Sequence, residues 1–132
     1  MSAHLAWILF LLSSVAAPAE PMVTIRHFTR TPGPQWSFTI HAAGENVSAT
    51  LWWIVGRGSP GIIDAKTAEL GVTNCPVLAS LAEEATKLGV TESPIYLTDL
   101  SPGHPVAKWA NKAWEKLAVC ADAHPANFEP SP

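Results

Sequence analysis

Histidine, aspartate and serine side chains are spread along this chain, and they are the residue types that hydrolases and metal sites use. The histidines beyond the N-terminal segment are His27, His41, His104 and His124. None of them has the H-x-H or H-x-x-x-H spacing that preorganises a metal site, and no G-x-S-x-G nucleophile motif occurs. We therefore expect no cofactor, no metal and no assigned catalytic residue. Should the protein be a hydrolase, Asp64, Asp99 and His41 are its candidate residues.

A glycine motif in the middle of the chain is interpreted as a turn. Gly56, Gly58 and Gly61 spell G-x-G-x-x-G after a predicted strand. In a dinucleotide site this motif leads into the N-terminus of a helix, which binds the pyrophosphate. Ile62 and Ile63 favour a strand at that place instead, so the sequence predicts a glycine-rich hairpin.

A second group of residues is suited to binding. Arg and Trp dominate interface hot spots, because each combines a large contact area with directed hydrogen bonds. We expect a binding surface on the outward face of a sheet, formed by Arg26, Phe28, His41 and Trp52 with Thr39 and Thr50. The alternative is that the C-terminal helix or a loop covers Phe28 and Trp52, which would make this face a second buried side.

Alternating apolar and polar residues predict the strands that would carry this surface. If Gly44 and Glu45 are the central residues of a type II′ hairpin turn, Phe38 faces Leu51 and every apolar residue meets an apolar one. A slip of one residue would mix the two faces. With a first strand from about residue 22 and a short fourth strand at 62–65, the sequence predicts an antiparallel meander of about four strands.

The second half of the chain has helical spacing. Apolar residues recur at i, i+3 and i+4 between Cys75 and Leu88, and Gly89 follows where a helix would end. Residues 105–121 form an amphipathic stripe, and residues 95–97 are suited to a short extra strand. Because Cys75 begins the first helix and Cys120 ends the second on its apolar side, we predict a disulfide between them.

The N-terminal segment predicts export. An uninterrupted apolar run from Leu5 to Leu12 ends in the small residues Ala17, Pro18 and Ala19, which is typical of a secretory signal. The run is shorter than the roughly 20 residues that a membrane span needs. We expect a signal peptide at 1–19, a single α+β domain at 20–123 and a flexible, proline-rich tail at 124–132. The exported protein would be periplasmic or extracellular, with no stable membrane span after cleavage.

Composition narrows the function classes. A formal net charge of −3, with no cluster of Lys or Arg, argues against nucleic-acid binding. The sequence predicts an α+β fold, an N-terminal meander packed against two C-terminal helices with one disulfide. We expect an exported binding or inhibitory module that meets a protein partner in that compartment through a surface. The alternatives are a small envelope hydrolase or metal-dependent enzyme, and a structural envelope protein. The oligomeric state is left open.

Overall fold

The chain folds into two layers, a sheet and a pair of helices that pack on one of its faces. A computed structural model describes residues 20–29, 33–57, 63–90 and 94–128. The predicted signal peptide at 1–19 lies outside the described residues, and so do Gly58 and Gly61 of the glycine motif.

Five strands form the main sheet: β1 (Glu20–His27), β3 (Trp36–Ala43), β4 (Asn46–Arg57), β5 (Ile63–Gly71) and β6 (Ile95–Tyr96). They lie side by side in the order β5-β4-β3-β1-β6. Antiparallel pairing joins β1 to β3, β3 to β4 and β4 to β5, which confirms the predicted meander, and β6 adds a short parallel strand beside β1. A separate two-stranded sheet joins β2 (Gly33–Pro34) to β7 (Asn127–Phe128).

The hairpin between β3 and β4 has the predicted register. Phe38 pairs with Leu51, and Ala43 pairs with Asn46, so Gly44 and Glu45 form a two-residue turn. Gly44 has a φ of 61°, in the left-handed region that glycine adopts without strain. Among the described non-glycine residues, a positive φ occurs at Asp122 and not at Glu45. Glu45 therefore has the negative φ that the second central residue of a type II′ turn requires.

The fourth long strand differs from its prediction. The sequence predicts a strand at 62–65, but β5 continues to Gly71. β5 lies at the edge of the sheet, and most of its side chains are exposed whichever face they point to. In its second half Ala68 and Leu70 pack against the core with the exposed Glu69 between them, and two apolar residues are too short an alternation to predict a strand.

Two helices follow the meander: α1 (Leu78–Leu88) and α2 (Pro105–Ala121), with a short 3₁₀ helix (Leu97–Asp99) between them. α2 has the predicted bounds. α1 begins three residues later than predicted, because Cys75 lies in a turn in which its N–H donates to the carbonyl of Gly71. Gly89 ends α1 with a φ of 70°, and the imidazole of His104 caps α2 by accepting from the N–H of Val106.

The helices and one face of the sheet enclose a single core. It combines Ile25 and Phe38 of the sheet with Leu81 of α1 and Leu117 of α2, all of them at most 1% exposed. Every second residue of β1, β3 and β4 points into this core, so the intervening side chains point away from both helices.

The disulfide is confirmed. Cys75, just before α1, is bridged to Cys120 near the end of α2, and their Cα atoms lie 5.5 Å apart. The bridge is consistent with an exported protein, because disulfides persist in oxidising compartments. Within the described part of the chain, no helix combines the length and the apolar character that crossing a membrane requires.

The C-terminal segment makes backbone contacts with the sheet. The N–H of Ala126 donates to the carbonyl of Ile54 at 2.9 Å, and Asn127 and Phe128 pair with Pro34 and Gly33. Residues 126–128, which the sequence assigned to the tail, thus have hydrogen-bonded partners.

Candidate functional site

The sheet face opposite the helices carries the candidate site. Its side chains are mostly hydroxyl, aromatic or charged; on the three central strands they include Thr24, Arg26, Ser37, Thr39, His41, Ser48, Thr50 and Trp52. Ile54, the next residue of this series on β4, is 6% exposed although it lies outside the core cluster. We call it the open face. The core that includes α2 contains neither Phe28 nor Trp52, so α2 does not cover them. Four tryptophans lie in that core, whereas Trp52 is partly exposed on the open face.

Arg26 is held in place by Tyr96 of the neighbouring strand. The two residues are register partners between β1 and β6. Nη1 of Arg26 donates to Oη of Tyr96 at 2.7 Å, and the guanidinium carbon lies 5.5 Å from the centroid of the tyrosine ring. The hydrogen bond and the cation–π contact together fix the guanidinium on the open face.

Three aromatic rings gather beside this arginine. The ring of Phe28 lies 5.5 Å from that of Trp52 with planes at 75°, and 6.3 Å from that of Tyr96 with planes at 67°. These edge-to-face contacts are a favoured arrangement of aromatic pairs. Phe28 is 40% exposed and Tyr96 38%, so the rings also face solvent. We name Arg26, Phe28, Trp52 and Tyr96 the Arg–aromatic cluster.

The charge of the cluster is not neutralised by the described residues. Their ion pairs join Lys87 to Glu83 and His124 to Asp122, and no described carboxylate lies within 4.0 Å of Arg26. Arg26 is partly buried as a residue, its hydrogen bond to Tyr96 is exposed, and the guanidinium keeps N–H donors beyond the one that Tyr96 accepts. The cluster therefore combines a fixed positive charge with exposed apolar rings.

His41 lies apart from the cluster. It is four residues along β3 from Ser37, the register partner of Arg26, which corresponds to about 13 Å. Its Nε2 is 3.3 Å from Oγ1 of Thr50, beside an open groove of about 460 Å³ that Ser48 and Glu69 also line. Of the four predicted binding residues, the structure brings Arg26, Phe28 and Trp52 together and leaves His41 in this groove.

The residues considered for catalysis do not assemble. His41 pairs with Ser48 of β4, and Asp64 pairs with Gly56 of the same strand. Ser48 and Gly56 are eight residues apart, which corresponds to about 26 Å along the strand. Asp99 lies in the 3₁₀ helix after β6. In hydrolase sites a histidine beside a hydroxyl is commonly oriented by a third group, whereas the side-chain hydrogen bond of His41 among the described residues is the one with Thr50. The described residues also contain no group of three His, Cys, Asp or Glu side chains that could hold a metal ion.

Two site residues were missed by sequence reasoning. Tyr96 lies in the segment predicted as a short extra strand, but its place beside β1 depends on a parallel contact across 70 residues. Glu69 was missed because the fourth strand was predicted to stop at residue 65. The sequence signal for Tyr96 was its place in the dipeptide Ile95–Tyr96, because both of these residue types favour strands.

Comparison with known proteins finds no matching family model, no matching curated protein and no matching solved structure.

Proposed function

We propose that this protein is an exported binding module that recognises a protein partner through the Arg–aromatic cluster. The observation that carries the proposal is the arrangement of Arg26, which is fixed by Tyr96 and surrounded by partly exposed rings on a sheet face that neither described helix covers. Trp, Tyr and Arg at the centre of a surface supply most of the binding free energy in protein interfaces. Export is supported by the disulfide and by the signal predicted from the sequence. An inhibitory role would use the same surface.

The test is capture of a partner from the exported fraction of the protein's own host. The disulfide-bonded protein is immobilised beside an Arg26→Ala, Trp52→Ala variant. The matched control is Lys108→Ala, Val119→Ala on α2, which also removes one cation and one exposed apolar side chain. We expect the parent and the control to retain the same partner and the cluster variant to lose it.

Folding is checked on the same samples, because Trp52 makes a ring contact with Phe28. The cluster variant should keep the parent's circular dichroism spectrum and a cooperative thermal transition. If a folded cluster variant captures the partner as well as the parent does, the cluster is not the binding surface and the proposal is wrong.

A small hydrolase is the second candidate function, and the 3.3 Å contact between His41 and Thr50 is the observation that favours it. Such an enzyme would tolerate changes at Arg26 and Trp52 and depend on His41. Turnover of small ester substrates that disappears in His41→Ala, with a pH–rate profile reporting one base, would support this candidate over the binding module.

A further inference from the structure

We infer that the partner's contact segment is an extended peptide that carries a carboxylate close to a bulky apolar side chain. The inference rests on the proposed function and adds the chemistry of the partner. The observation behind the inference is the Arg–aromatic cluster, where a fixed cation and partly exposed rings lie side by side.

The guanidinium of Arg26 is complementary to a carboxylate. Its planar set of N–H donors matches the two oxygens of a carboxylate, and Tyr96 occupies one donor group while holding the plane in position. Arg26 has no ion-pair partner among the described residues, and because Tyr96 already holds its guanidinium, it loses less side-chain freedom on binding an anion than a mobile surface lysine would. Glu69, on the same face, lies three strands away at about 16 Å, so it does not cancel this charge.

The apolar half of the ligand follows from the position of Phe28. Phe28 is two residues beyond Arg26, which places the two side chains about 7 Å apart along an extended backbone. A peptide whose carboxylate binds Arg26 therefore reaches Phe28 and Trp52 with a side chain one or two positions away. Leu, Phe or Trp at that position would bury the exposed part of the Phe28 ring.

The ring geometry favours a peptide over an acidic sugar chain. A sugar ring stacks best on one flat aromatic face, whereas the planes of Phe28 and its two neighbours meet at 75° and 67°. Rings in edge-to-face contact present edges as well as faces to solvent, and a single bulky apolar side chain can pack against both. Ser37 and Thr67, the register partners of Trp52, place hydroxyls beside that ring that can bond to a peptide backbone.

The test is an unbiased selection of random peptides displayed on phage against the disulfide-bonded protein. Enriched peptides are synthesised and titrated by fluorescence anisotropy against the parent and the Arg26→Gln, Trp52→Ala and Lys66→Gln variants. Lys66→Gln is the matched control, because it removes the same charge from an exposed residue of β5. We expect enrichment of Asp or Glu one or two positions from Leu, Phe or Trp.

The titrations should show how much the contact between Arg26 and the carboxylate contributes to binding. Arg26→Gln should weaken binding at least about tenfold, Lys66→Gln less than about twofold, and a Glu→Gln change in the peptide should cost little in the Arg26→Gln background. Arg26→Lys, which keeps the charge but not the planar donor set, should bind with intermediate affinity.

Three outcomes would overturn the inference. They are enrichment of peptides without an acidic residue, equal binding by the parent and Arg26→Gln, and binding of an oligogalacturonate chain in calorimetry with no peptide enriched. None of these outcomes decides the proposed function, because the Arg26→Ala, Trp52→Ala variant can still fail to capture the partner that the parent captures. Every variant is first shown to be folded by its thermal transition.

Discussion

Trp36 of β3 and Trp114 of α2 stack face to face, with ring centroids 4.7 Å apart and planes 4° from parallel. Phe38, two residues along β3, continues the stack with its ring 6.0 Å from Trp36. All three side chains are at most 8% exposed. This contact joins the two layers of the fold, so tryptophan is structural on this face of the sheet, whereas Trp52 on the other face takes no part in the core.

Replacing Trp114 by Ala should lower the free energy of unfolding by about 3–5 kcal/mol, because it removes a buried ring and leaves a cavity against Trp36. Trp52→Ala should cost less than about 2 kcal/mol, since this ring is partly exposed and its ring contact is with the exposed Phe28. Urea denaturation of both variants with the disulfide intact measures the difference. Equal losses would contradict the assignment of the two tryptophans to different faces.

The disulfide should supply a large share of the stability. Cys75 and Cys120 are 45 residues apart in sequence, and closing such a loop restricts the unfolded chain by about 4 kcal/mol in the entropy model. A Cys75→Ser, Cys120→Ser variant should therefore unfold at much lower urea concentration than the parent. Adding a reductant should destabilise the parent by the same amount and leave the variant unchanged, and a response of the variant to reductant would count against this account.

The register of the β3–β4 hairpin could be predicted because several constraints agreed. Gly44 can adopt a positive φ, and with a two-residue turn Phe38 and Leu51 meet on the buried face. The helices could be predicted for a similar reason, since the stripe of α2 and the glycine after α1 are both local features. The same alternation placed Arg26, His41 and Trp52 on the sheet face opposite the helices.

The rest of the site depends on contacts that no local pattern records. Tyr96 reaches Arg26 through the parallel pairing of β6 with β1, and a two-residue strand has too few residues to show a period. β5 was predicted too short because most of its side chains are exposed and its apolar alternation is limited to Ala68 and Leu70. His41 was placed on the correct face. Its separation from the cluster follows from the β1–β3 register, which pairs Arg26 with Ser37, four residues along β3 from His41.

Gly44→Ala should destabilise the protein by about 1–2 kcal/mol. Gly44 has a φ of 61°, where a β-carbon crowds the following carbonyl oxygen, although nothing else lies within 4 Å of that position. The loss therefore comes from the backbone and not from a clash. Glu45→Ala, in the same turn at negative φ, is the control and should change the stability by less than about 0.5 kcal/mol. Equal stability of Gly44→Ala and the parent, measured by urea denaturation, would show that the turn has another geometry.

His27 should make the stability depend on pH. Its ring stacks on Trp36 at 5.0 Å, and its buried Nδ1 has no hydrogen-bond partner among the described residues. Burial lowers the pKa of His27 below the ordinary value of 6.5, because desolvation disfavours the charged imidazole. Between the lowered pKa and 6.5 the unfolded chain binds more protons than the folded one. The contribution of neutral His27 is thus fully present above pH 6.5 and is lost as the pH falls through the folded-state pKa.

The free energy of unfolding at pH 7.5 and at pH 5, measured for the parent and for His27→Gln, checks this expectation. Carboxylates titrate in both proteins, so the difference between the two pH responses isolates His27. The parent should lose more stability on acidification than His27→Gln does. If the parent and His27→Gln respond identically, the imidazole at position 27 is protonated as easily in the fold as in the unfolded chain, and its burial against Trp36 has no effect on the pKa.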